Sequence, residues 1–224
     1  MMTNLFSIFD PSSITPISLN WLSMILIMIF MNLTFWLFKS KNQIIINNLN
    51  SIIIKELKTT LKTSNYPNFI LILLTLFILI LINNLMGLFP YIFTSTSHMM
   101  ITLSLALPLW FMSIMMLMTM NTMNFLAHLV PQSTPSYLMS FMVLIESISN
   151  IIRPMTLAIR LTANMIAGHL LITLLSSMNE KMNIFSSIII ILSSTTLMIL
   201  ELAVAIIQAY VFMTLLSLYL SEIN

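Results

Sequence analysis

No cysteine occurs among the 224 residues. Disulfides, thiolate catalysis and cysteine-based metal sites are therefore excluded. Charge is almost as scarce. Asp, Glu, Lys and Arg make up 6% of the chain, against roughly 25% in an ordinary soluble domain. Eight basic and six acidic residues cannot cover the surface of a water-soluble fold of this length. Soluble enzymes, nucleic-acid binders and disordered proteins are excluded as default classes. Only two glycines are present, which speaks against unwound, glycine-rich binding segments. From residue 63 to residue 145 there is no formal charge at all. The pI near 9.0 reflects a net charge of only +2 and says nothing about nucleic acid.

What is present is apolar. Hydrophobic types make up 59%, and mean hydropathy is +1.04. The composition fits an all-α, multi-span integral membrane protein forming a single membrane domain over 1–224. Twenty-two methionines, with abundant Ile, Asn, Leu and Ser, point to an AT-rich genome, and an organellar genome fits. The N-terminus, MMTNLFSIFD, lacks a basic n-region and an Arg-rich amphipathic helix, so it does not read as a signal or transit peptide.

A span needs roughly 20 apolar residues. The first expected span is 19–38, with Trp21 and Trp36 near its ends, where indoles favour the interface. Lys39, Lys41, Lys55, Lys58 and Lys62 then form the only basic cluster, which the positive-inside rule assigns to the cytoplasm or matrix. The N-terminus falls on the opposite side. Within that cluster, Ile46, Leu49, Ile53, Leu57 and Leu61 recur at three- and four-residue steps. The spacing predicts an amphipathic interfacial helix over 44–62, with anchoring a plainer role for it than docking to a partner. Two further spans are expected at 69–89 and 99–118. His98 and His128 read as interfacial loop residues rather than ligands.

Two longer stretches follow, 136–175 and 184–221, joined by a polar turn at 179–183. At about 1.5 Å per residue each runs to about 55–60 Å, well over a hydrocarbon core of roughly 30 Å. Neither holds a polar loop suited to a re-entrant break. A tilted antiparallel hairpin is the expectation, with Pro154 kinking its first arm. The C-terminus then returns to the inner side.

The hairpin carries Glu146, Arg153, Arg160, Glu201 and Glu222, with Asn164, His169 and Gln208 as polar company. A charge at mid-span costs about 2.5–3.5 kcal/mol on insertion scales. Glu146, Arg153 and Arg160 are spaced by seven and Asn164 lies four further on, which makes one stripe on a helix. His169 falls on the opposite side. In an antiparallel pair, residues at one height share an index sum. Arg160 with Gln208 and Glu146 with Glu222 both give 368, and His169 with Glu201 gives 370. Carboxylates and histidine exchange protons when their surroundings tune them; arginine does not. The pattern reads as titratable groups at two levels with a fixed positive charge between them. A proton crosses only on a mobile carboxylate, which a moving partner must supply.

Two runs, IRPMTLAIRLTANMIAGHLL at 152–171 and ELAVAIIQAYVF at 201–212, closely resemble the a subunits of mitochondrial proton-translocating ATP synthases. NNLMGLFPYIFTSTSH and AHLVPQSTP add to the likeness, which extends over the whole chain and is greatest for the animal form. The resemblance implies one span, an interfacial helix, two spans and a tilted hairpin. It implies that Arg160 is the stator arginine facing the c-subunit ring, with Asn164 and Gln208 as its polar neighbours. It makes His169 and Glu201 the outer half-channel pair, and Glu146 and Glu222 the acidic groups of the matrix half-channel. No role follows for Arg153 beyond pairing on the matrix side. It further implies a multi-pass protein of the mitochondrial inner membrane, N-terminus in the intermembrane space and C-terminus in the matrix. Its partners would be the c ring, peripheral-stalk and other membrane-sector subunits, the lipid bilayer and protons. It would have no nucleic acid, cofactor or metal, and no catalysis by the chain alone. Two other classes compete: an autonomous ion-coupled transporter, and a structural anchor of a respiratory complex. The first normally shows internal repeats and broken helices, which this sequence lacks. The second needs no matched titratable groups.

Overall fold

The computed structural model describes residues 5–12, 19–26, 40–61, 67–89, 92–120, 122–123, 130, 135–179 and 184–221. All regular structure among them is helical: α1 (Leu22–Leu26), α2 (Lys41–Thr60), α3 (Pro67–Gly87), α4 (Met99–Met120), α5 (Met139–Asn179) and α6 (Ile184–Ser221). Short 3-10 turns cover Leu5–Phe9, Leu19–Trp21, Ser95–Ser97 and Ser136–Leu138. Helices are what an apolar solvent allows, because each satisfies its own backbone polar groups. Four of them, α3 to α6, are long and apolar enough to cross a membrane. Most of the expected first span, and the turn at 180–183, lie outside the described residues.

Ser40 starts α2 with a capping box. The Gln43 backbone N–H donates to Ser40 Oγ, and the Ser40 backbone N–H donates to Gln43 Oε1 at 2.9 Å. Only the second half of α2 is buried by this chain. Leu57 and Leu61 enter the core, whereas Ile46, Leu49 and Ile52 stay exposed. The core joins them to Leu73, Phe77 and Ile80 of α3, Ala106 of α4, Leu157, Ala158 and Leu161 of α5, and Ala209, Phe212, Met213 and Leu216 of α6. Small residues at Ala158, Ala209 and Ala106 let the backbones approach, the usual device where lipid supplies no hydrophobic drive. The helices α3 and α6 pack together, α4 lies on α5, and α5 pairs with α6.

The helix α5 is continuous over 41 residues, with Pro154 buried inside it. Its partner α6 runs 38 residues. Hydroxyls along both arms bond back to their own helix. Ser193, Ser194, Thr195 and Thr196 each donate to the carbonyl three residues earlier, at 2.8 to 2.9 Å.

Candidate functional site

Three polar levels follow the hairpin. Nearest the end of α5 and the start of α6, His169 Nε2 lies 3.9 Å from Glu201 Oε1. That is an ion-pair distance but too long for a hydrogen bond. Glu201 is only 5% exposed, and neither its carboxylate oxygens nor His169 Nε2 has a hydrogen-bond partner. The approach is possible because residue 168 is glycine: a Cβ there would collide with the Glu201 carboxylate. Phe9, on the N-terminal turn, sets its ring edge-on to His169 at 6.4 Å and 77°.

This level has walls from α3 and the segment after it. Asn84 Nδ2 donates to the Ala205 carbonyl, one turn from Glu201, at 3.4 Å. Ser95 Oγ donates to Asn83 Oδ1 at 3.4 Å. Gly87 lets Thr94 and Met165 come close, since a Cβ there would lie 3.2 and 3.3 Å from their side chains. Both glycines of the chain thus serve one neighbourhood.

At the middle level, Asn164 Nδ2 donates to Gln208 Oε1 at 3.1 Å, and Gln208 is buried. The index sums had set Arg160 opposite Gln208. The structure puts Asn164, one turn along, in that place. Equal height fixes a residue only along the helix axis and not around it. Arg160 points away from α6, on an exposed face with Met155, Thr156, Ile159 and Ala163. It makes no ion pair or side-chain hydrogen bond among the described residues.

At the open end, Arg153 Nη2 lies 3.7 Å from Glu146 Oε1, and both side chains are about one-third exposed (33% and 38%). The Arg153 guanidinium also sits over the Tyr219 ring, 5.5 Å from its centroid, within cation–π range. Glu222 and His128 lie outside the described residues.

Sequence reading missed several participants. Tyr210 donates its hydroxyl proton to Glu56 Oε1 at 3.1 Å, tying α2 to α6 across 154 positions. No periodicity connects such distant residues. Gly168 carried a signal in its rarity, and the Asn83–Asn84 pair carried one in its place within an apolar span. Among the described residues, no group of three or more His, Asp or Glu could hold a metal ion.

The family model described as ATP synthase A chain matches residues 17–221. Proteins named ATP synthase subunit a from Drosophila simulans and Locusta migratoria are 53% and 52% identical over 224 residues, covering all of both chains. The Anopheles gambiae protein of that name is 52% identical over 226 residues, again over the full length of both.

Proposed function

The chain belongs to the ATP synthase A chain family, and from that membership we propose that it is the stator proton channel of an F-type ATP synthase, working beside a ring of c subunits in the mitochondrial inner membrane. Arg160 is the gate. Its guanidinium is permanently charged, so it cannot pass a proton on. It attracts a carboxylate on a passing ring helix and holds that group ionised until the group can be reprotonated. His169 and Glu201 deliver protons from the outer side. Glu146, with Glu222, drains them towards the matrix, and Arg153 orients Glu146. Asn164 and Gln208 hold the middle of the hairpin beside the gate. The N-terminus lies in the intermembrane space, the C-terminus in the matrix, α2 in the inner interface, and the hairpin is tilted against the bilayer. Peripheral-stalk and other membrane-sector subunits hold the chain still while the ring turns.

One observation carries this reading: Arg160 stands exposed on an apolar helix face, without a partner among the described residues. A lone charge facing hydrocarbon is costly, so such residues face a protein partner or water. Crosslinking from position 160 in the assembled complex tests it. A product with a c subunit supports the assignment, and a product only with other subunits overturns it. An autonomous transporter is distinguished by proton flux through the purified chain in liposomes, where the stator stays nearly inert.

A further inference from the structure

Among the described residues, the buried side-chain nitrogen and oxygen atoms without a hydrogen-bond partner are Asn84 Oδ1, Thr96 Oγ1, His98 Nε2, His169 Nε2 and both oxygens of Glu201. Contacts through α3, α5, α6 and the 94–98 segment link them. Asn84 reaches the backbone beside Glu201. Thr94 and Met165, the latter one turn from His169, both close on Gly87. The Ser95–Ser97 turn packs on α5, α3 and α4. A buried polar group left unpaired is costly, because it has given up its bonds to water. Five such residues gathered in one place are stable when small polar molecules complete their bonds.

His98 is the one titratable member of this group that the proposed function leaves unused. Its ring stacks on Phe93 at 5.2 Å and 29°, and lies 5.2 Å from Trp21 at 49°. Ser23 Oγ donates to the Phe93 carbonyl at 3.4 Å and ties α1 to the same loop. The imidazole is thus one corner of an aromatic triad, since Trp21 and Phe93 are themselves 5.5 Å apart, with Nε2 shut away from the surface. The groups around it are few. The helices α1, α3 and α4 carry no titratable side chain, α5 brings Arg160 and His169 on the turns either side of Met165, α6 brings Glu201, and Asp10 lies exposed just after the N-terminal turn.

We propose that His98 is a second proton-relay residue of the outer path, lying upstream of the His169–Glu201 pair, with Thr96 holding the water that links them. Nδ1, the ring nitrogen that is not shut away, takes a proton from a water on the outer side and the ring becomes imidazolium. The buried Nε2 then releases its proton to a bridging water, which protonates the Glu201 carboxylate. One proton enters and one leaves, so no other reactant is needed. This rests on the half-channel reading of Glu201.

The test uses whole ATP synthase in vesicles. ATP synthesis is measured as outer pH varies, with inner pH and electrical potential held fixed. His98→Phe keeps the aromatic stack and removes the nitrogen; His98→Gln removes both ring and titration. In both variants, synthesis at high outer pH falls by about tenfold and recovers as the outer side is acidified. That loss is smaller than the roughly hundredfold typical of a positioned proton-transfer group, because water carries protons here as well. His98→Glu, which titrates, restores part of the loss. A wild-type outer-pH profile in both variants overturns the proposal. So does an equal loss at every outer pH, or full rescue by Phe, since either marks a packing role. Glu201→Gln serves as the control. If that variant keeps synthesis, the half-channel reading itself has failed; if it loses synthesis while His98 variants behave as wild type, only this inference has.

Discussion

The two ends of the hairpin treat their charges in opposite ways. Where α5 ends and α6 begins, Glu201 and His169 are largely buried, with Asn84 of α3 reaching the next turn of α6 and Phe9 set against the imidazole, and His169 Nε2 and both Glu201 oxygens lack hydrogen-bond partners. At the open end, Glu146 and Arg153 are paired with each other, one-third exposed, with one tyrosine ring for cover. A site walled by its own chain can hold a defined proton path by itself. A half-exposed pair on a helix face is finished only by what docks there. Arg160 lies between the two, on the open side. The comparison teaches that this chain encloses one polar level by itself and leaves the other open to a neighbour.

The largest expected effect falls at the boundary between the ends. Arg160→Ala in the assembled complex should reduce proton-driven ATP synthesis to background, while passive proton leak persists or rises. Arg160→Lys should also abolish synthesis, with less leak where the lysine stays charged, because an ammonium neutralises more readily on burial. Substantial synthesis by the alanine variant would erase the boundary and the comparison with it.

Next in size is the enclosed end. His169→Glu and Glu201→His should each be severe. The double exchange should keep more synthesis than either single change, because the 3.9 Å pair is rebuilt in reverse. A double variant no better than the worse single one would break the pairing.

A smaller effect is expected at Gly168. An alanine methyl there overlaps the Glu201 carboxylate. The cost should be about 1–3 kcal/mol, typical of overpacking, read as a lowered thermal midpoint of the complex. Glu201→Asp, with its shorter side chain, should recover part of that stability in the double variant. Unchanged stability on Gly168→Ala would show that the enclosure is looser than described.

The hairpin register gives a contrast rather than a loss. The chain has no cysteine of its own, so introduced pairs report cleanly. Cysteines at 164 and 208 should crosslink more readily than those at 157 and 208, which are offset by about 10 Å along the axis. Equal yields would unseat the levels on which the two ends are defined.

The least effect should come from the open end. Arg153→Gln leaves Glu146 its carboxylate and removes a half-exposed pair. Pairs of that kind contribute about 0–1 kcal/mol. Most synthesis should survive, and a loss as deep as that of the Glu201 variants would make the two ends alike.

Much of this architecture was legible in the sequence. Apolar length marked α3 to α6, and three- and four-residue spacing marked α2. Constant rise per residue placed His169 at the height of Glu201. The same arithmetic set Arg160 rather than Asn164 against Gln208, because height leaves rotation about the axis open and one turn separates the two candidates. The α2 pattern predicted one apolar face but not that Leu57 and Leu61 alone would enter the core. The Tyr210–Glu56 bond was beyond reading, and the rarity of glycine marked position 168 without saying what crowds it. Both depend on the approach of surfaces distant in sequence, and local periodicity carries no information about that.

The back-bonded hydroxyls have a consequence for how such a chain reaches its membrane. Ser193 to Thr196 place four polar side chains in a row inside α6, yet each is satisfied by a carbonyl three residues earlier. Those bonds exist as soon as the helix does, before any neighbour arrives. A nascent α6 therefore presents the translocation machinery with a segment whose hydroxyls are already silent, and residue-by-residue hydropathy overstates its reluctance to leave water. Exchange of serine for threonine along this stretch alters little that the bilayer can sense, so drift in base composition can run through it.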